Sequence, residues 1–111
     1  MTPKPAGLRR HRVTIARRTT TTNQMESEPH YTPVMKRWAS IEPLSVREQL
    51  VAADSEVYAD TSHKITMLYT QAIGKGDQIW FKGRKFEVVG QPIDPEEAHR
   101  EITIMAVERV G

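Results

Sequence analysis

Short segments in which apolar side chains recur at every second position, set apart by polar turns, constrain this chain more than any other feature. A period of two belongs to a strand with one face buried. In residues 10–18, Val13 and Ile15 share one face, and Arg12, Thr14 and Ala16 share the other. Residues 63–71 place Ile65, Met67 and Tyr69 together, and residues 101–109 place Ile102, Ile104 and Ala106 together. Residues 78–82 and 84–90 flank Gly83 and read as a tight hairpin. Its two arms carry Ile79 with Phe81, and Phe86 with Val88. Residues 36–42 add a further strand, with Trp38 and Ile41 as its bulky members and Pro43 as its stop. The core expected from this pattern is Ile15, Trp38, Ile65, Phe81, Phe86, Val88 and Ile104.

One stretch carries a helix signature instead. Ser45-Val46-Arg47-Glu48 is a capping box, and Val46, Leu50 and Ala53 follow at helical spacing. This predicts a single short helix over residues 46–53. Residues 19–33 are polar, end in proline and show no apolar period, so they read as a long loop. About six short strands and one helix imply a mainly β fold, a small and strongly bent antiparallel sheet or barrel. Hydrophobic residues make up 38% of the 111 positions, enough for one thin core. The expected organisation is a flexible basic arm over residues 1–9 and one β-domain over residues 10–111.

The composition removes several classes of function. With no cysteine there is no disulfide scaffold, thiolate metal site or cysteine nucleophile. No run approaches the length of a membrane helix, and residues 1–10 lack the apolar stretch of a secretory signal. Nucleophile-elbow, zinc-protease and P-loop signatures are missing. Gly74-Lys75-Gly76-Asp77 holds a Gly-x-Gly, but Gln78-Ile79-Trp80-Phe81 after it is strand, so the segment is a turn and not a phosphate cradle. His11, His30, His63 and His99 fall in different elements, and Glu96-Glu97-Ala98-His99 reads as a solvated loop. No cofactor, metal or catalytic set is expected.

Charge is uneven along the chain. Residues 1–18 hold six basic side chains and no acid, while the remainder holds 10 basic and 14 acidic groups. The arm, with Arg9, Arg10, Arg12, Arg17 and Arg18, suits nucleic acid or the acidic face of a neighbouring subunit, and equally suits a solvated terminus. Trp80, Arg84, Lys85 and Phe86 on the hairpin form an aromatic–basic set that could stack bases on a small nucleic-acid-binding barrel. The simpler reading puts Phe81 and Phe86 in the core and leaves Arg84 and Lys85 on a solvent turn.

A set of segments taken in order resembles a known family. These are Ala6-Gly7-Leu8-Arg9-Arg10-His11-Arg12-Val13-Thr14-Ile15, then Trp38-Ala39-Ser40-Ile41-Glu42-Pro43-Leu44-Ser45 with Arg47 and Glu48. Asp77-x-Ile79, Gly83-Arg84-x-Phe86-x-Val88 and a closing strand near Glu108 complete it. The central segment is similar to the Trp-Ala-x-Ile/Val-x-Pro-Leu-Ser-Gly-x-Glu block of the head–tail joining proteins of long-tailed bacteriophages, also called head-closure or stopper proteins. The resemblance covers about residues 6–109. Val46 stands where relatives often carry glycine, and Leu68 where they often carry arginine. The resemblance implies a small β-barrel and a non-enzymatic virion protein of the phage neck, made in the host cytoplasm. It implies a ring of roughly six or twelve copies beneath the portal or its adaptor, closing the filled head over packaged DNA and presenting a surface to the tail or its terminator. By the same resemblance, the loop residues Thr19, Thr20, Thr21, Thr22, Asn23, Gln24, Met25 and Glu26 are expected at the channel. A neighbouring neck or tail-terminator protein is the alternative in the same setting.

Overall fold

The computed structural model describes residues 10–19 and 30–109. Six strands close into an antiparallel barrel: β1 (His11–Thr19), β2 (His30–Pro43), β3 (His63–Leu68), β4 (Gln78–Phe81), β5 (Arg84–Val88) and β6 (Glu101–Arg109). One helix, α1 (Val46–Ala53), joins β2 to β3, and a 3-10 turn at Pro95–Glu97 precedes β6. The order around the barrel is β1-β2-β3-β6-β5-β4, and β4 pairs with β1 to close it.

The period-two residues do what their spacing predicts. Val13, Ile15, Ile65, Met67, Ile79, Phe86, Val88, Ile102, Ile104 and Ala106 form one buried cluster inside the barrel. Phe81 packs against its edge and is only partly buried. The β4–β5 hairpin turns through Lys82 (φ 48) and Gly83 (φ +81). Two successive positive φ values match the right-handed twist of the strands, and glycine takes the second without strain.

Two expectations are corrected. Trp38 is not in the core; it is 52% exposed. Trp38 and Ile41 are three residues apart and cannot share one face of a strand. Register decides between them: Ala39 pairs with Met67 and Ile41 with Ile65, so the odd positions turn inward. The second correction concerns residues 19–33. Thr19 is the last residue of β1, and His30 to Pro33 are the first of β2. Thr19 pairs with His30, Arg18 with Tyr31 and Arg17 with Thr32. β3 meets β2 only from Ala39 onward, so this end of β1 and β2 is a two-stranded ribbon reaching past the barrel. A ribbon wetted on both faces needs no apolar alternation, which is why its sequence reads as loop. Pro33 is accommodated where the register slips: Ile15 faces Met35 and Ala16 faces Pro33, leaving Val34 as the extra residue of a bulge. Ala16 is buried despite its outward parity, between Pro33 and Gln78. Residues 20–29, with Thr20 to Glu26 among them, lie outside the described residues, as do residues 1–9.

α1 has the predicted bounds and cap. Ser45 Oγ accepts from the Glu48 N–H at 3.2 Å, and Glu48 Oε1 accepts from the Ser45 N–H at 3.0 Å. Both are donors that the first turn would otherwise leave unpaired.

The barrel account makes opposite predictions for two aromatic residues. Phe86→Ala should cost about 3–5 kcal/mol, because Phe86 is fully buried. Trp38→Ala should cost under about 1 kcal/mol. Urea unfolding of the two variants checks this, and similar losses would contradict the assigned register.

Candidate interaction surfaces

Alternation that fills the barrel also builds its outer wall. The partners Lys36–Thr14, Thr14–Trp80, Trp80–Lys85 and Lys85–Arg109 lie side by side, so one row crosses five strands from β2 to β6. Arg109 is offset by Glu87, its Nε lying 2.7 Å from the carboxylate. Lys85 Nζ lies 6.0 Å from the Trp80 ring centre, and Trp80 Nε1 donates to Gln78 Oε1 at 2.8 Å. On the neighbouring row Arg12 pairs with Trp38 and sets its guanidinium 5.4 Å from the indole centre. This wall, centred on β1, therefore carries two tryptophans among Arg12, Lys36 and Lys85.

The basic residues singled out from sequence are not all gathered there. Arg12 and Lys85 are on the wall. Arg10 is exposed at its edge. Arg17 reaches the Ala72 carbonyl at 3.4 Å. Arg18 is held through its backbone N–H by Asp77 Oδ1 at 3.0 Å. Arg9 lies outside the described residues. Arg84 turns to one mouth of the barrel, where its Nε and Nη2 donate to Glu108 at 2.8 and 3.0 Å. Phe86 is fully buried under it, so the Trp80–Arg84–Lys85–Phe86 stacking set does not form.

That mouth holds a serine, a histidine and an acid in contact. Ser62 Oγ is 2.8 Å from His63 Nδ1 and accepts from the Glu108 N–H at 2.9 Å. A hydrolytic relay needs the acid on one ring nitrogen and the serine on the other. Here Glu108 is 4.0 Å from His63 Nε2, beyond hydrogen-bond reach, and Arg84 already occupies its carboxylate. Burial pulls His63 below the ordinary histidine range, with Glu108 opposing and Arg84 assisting. Arg84 holds Glu108 below the usual carboxylate range. The cluster caps Phe86, whose ring His63 meets edge-on at 5.1 Å, and ties β3 to β5 and β6. At the 3-10 turn, His99 is bound to Asp94 at 3.0 Å and packs edge-on against Tyr69.

α1 lies over the outer wall of β3 and β6. Its only buried residue is Ala52. Lys64 on β3 fastens it by a 2.8 Å ion pair to Glu48. The turn after it is seated by Gly90, where a Cβ would come within 2.9 Å of the Tyr58 ring. Between helix and wall runs a groove of about 420 Å³, with Val51, Ala52, Tyr58, Ile93 and Met105 as its apolar lining. Val51 is 69% exposed at its lip, and Val46 and Leu50, on another face of the helix, are 74 and 66% exposed. Sequence reasoning found the helix but missed the groove, because Lys64, Ile93 and Met105 come from distant parts of the chain.

A family model described as phage head completion protein matches residues 4–109. The solution structure of protein SF1141 from Shigella flexneri 2a is similar in fold, with a TM-score of 0.70. It is 24% identical, and the alignment covers 89% of this chain and 91% of that one. No curated protein sequence matches the chain.

The helix has a pH signature. Lys64, with the Ser45 backbone and hydroxyl, lowers the Glu48 carboxyl to about 2. Its ordinary value is about 4.3. A folded value below the unfolded one adds stability above the unfolded value, and that stability is lost as pH falls through the folded one. Wild type should therefore exceed Glu48→Gln in unfolding midpoint at pH 7, with the gap closing between about pH 4.3 and pH 2. A gap independent of pH would contradict the pairing.

Proposed function

The chain belongs to the phage head completion protein family, and from that premise we propose that it forms a ring beneath the portal or its adaptor, closes the DNA-filled head and offers the tail its attachment surface. A structural part in phage head closure follows from the family itself. No helix among the described residues is long and apolar enough to cross a membrane, in keeping with a virion component.

The observation that carries the reading is a match running through every element of the barrel, residues 4–109. The geometry supports it in two further ways. A closed barrel has no free edge along which copies could add without limit, so contacts fall to its outer walls. Those walls carry the exposed tryptophan, the basic row and the apolar groove. The ribbon of β1 and β2 extends past the barrel and ends at the Thr19–His30 pair. In this proposal residues 20–29, including Thr20 to Glu26, reach the channel and retain DNA together with Thr19.

The test uses phage whose copy of this gene is replaced. Removing the protein should leave filled heads that lose DNA or fail to join tails. Replacing residues 20–29 by an Asn-Gly turn between Thr19 and His30 should leave the barrel folded, because both flanking strands stay paired. Those particles should retain DNA poorly. Normal yields of infectious particles without the protein would overturn the neck reading, and normal yields with the short turn would overturn the channel role alone.

A further inference from the structure

Ion pairs are distributed unevenly over this barrel. Lys64 with Glu48 fastens the helix, Arg84 with Glu108 closes one mouth, and Arg109 with Glu87 ties β6 to β5. On the Trp38 wall the exposed cations Arg12, Lys36 and Lys85, with Lys82 on the hairpin turn at its rim, have no acidic partner among the described residues. β1 and β4 contain no acid at all. β5 contains only Glu87, already held by Arg109, and β2 only Glu42, four residues beyond Trp38.

Aromatic rings hold these cations instead. The Arg12 guanidinium lies 5.4 Å from the Trp38 ring centre, Lys85 Nζ 6.0 Å from that of Trp80, and Lys82 Nζ 5.3 Å from that of Phe81. A ring attracts a cation through its negative face without neutralising it. A carboxylate in the same place would cancel the charge. The long side chains are thus steadied in advance, which lowers the entropy lost when an anion binds them, and their full charge stays available. Both tryptophans of the chain stand on this wall. Lys36 and Lys85 are separated by three strand spacings, about 14 Å. An anion that engages both must be extended and charged along its length.

We propose that this wall lies along the phosphodiester backbone of duplex DNA, with Arg12, Lys36 and Lys85 on its phosphates and the indoles of Trp38 and Trp80 against its sugars. The contact is electrostatic and independent of sequence. DNA is favoured over an acidic protein because each of its strands presents a phosphate about every 3.4 Å along the axis. Cations about 14 Å apart therefore find partners in many registers, whereas a protein would need acids placed to match that separation. A contact that accepts many registers also lets DNA slide. This deepens the head-closure reading, in which the subunit stands where DNA leaves the head, and rests on it.

The test titrates the full-length protein with a mixed-sequence duplex of about 20 base pairs at about 50 mM salt and upward, following tryptophan fluorescence and the anisotropy of labelled DNA. Binding should quench the indoles and weaken steeply as salt rises. Lys36→Glu combined with Lys85→Glu should weaken it at least about tenfold and flatten the slope of log K against log salt by about 2. Arg47→Glu combined with Lys75→Glu makes the same change in net charge at two exposed positions off this wall, and should bind like wild type. Circular dichroism confirms that both double variants are folded. Absence of duplex binding, equal losses in the two double variants, binding confined to single-stranded DNA, or equal competition by polyglutamate would overturn the assignment. The phage experiment judges head closure separately. Particles that fail without the protein, with no duplex binding in solution, discard this wall and keep the neck role. Duplex binding at the wall, with normal yields of infectious particles without the protein, keeps the wall and discards the neck role.

Discussion

Closure of the barrel depends on one buried carboxylate. The β1–β4 seam is short: only Thr14, Ile15 and Ala16 of β1 pair with β4. Beyond Ala16 the ladder stops, and the Arg18 N–H would be left without a partner. Asp77, 9% exposed, accepts it at 3.0 Å and accepts the Gly74 N–H with its second oxygen at 2.8 Å. Its own backbone completes the join, since Val88 N–H donates to the Asp77 carbonyl and Gly76 N–H donates to Val88. Gly76 makes the turn at φ +90, which an L side chain resists. One side chain thus fixes the end of β1 and the entry to β4, and ties both to β5. Buried donors left unpaired are costly, so this seam holds only while Asp77 supplies its oxygens.

Everything proposed for function hangs on that closure. With β4 held to β1, Trp80 lies beside Thr14 and the basic row becomes continuous. The same closure leaves the Trp38 wall outside β1 and β2 and the α1 groove outside β3 and β6. The interior is ordinary aliphatic packing around Phe86. The mouth cluster of His63, Arg84 and Glu108 closes one end over that ring and spends its charges on itself. What remains for partners is on the outside of the barrel.

Legibility in the sequence followed the range of the interaction. The capping box of Ser45 and Glu48 acts across three residues, and α1 falls where the pattern puts it. The Lys82–Gly83 turn is equally local. Strand interiors were visible wherever one face is buried, as at Ile65 with Met67 and at Ile102 with Ile104. Trp38 was misplaced because the facing of β2 is set by its pairing with β3, a contact no local pattern records. The ribbon residues His30 to Pro33 were missed because a strand wetted on both faces carries no period. The role of Asp77 could not be seen without knowing where the ladder ends, although Asp77-x-Ile79 was among the segments that carried the family resemblance. The groove needed β3, β6 and α1 assembled before it existed.

Amide hydrogen exchange on Asp77→Ala tests the closure most directly. Two charge-assisted hydrogen bonds are lost, so global stability should fall by about 2–4 kcal/mol. Protection at Arg18 and Gly74 should collapse first, followed by β4. Residues of β3 and β6 far from the seam should keep the protection that the remaining global stability allows. Asp77→Asn retains one acceptor oxygen and should lose less at Arg18 or Gly74, but not at both. Unchanged stability, or protection lost evenly with no excess at Arg18 and Gly74, would contradict the claim that this carboxylate closes the barrel.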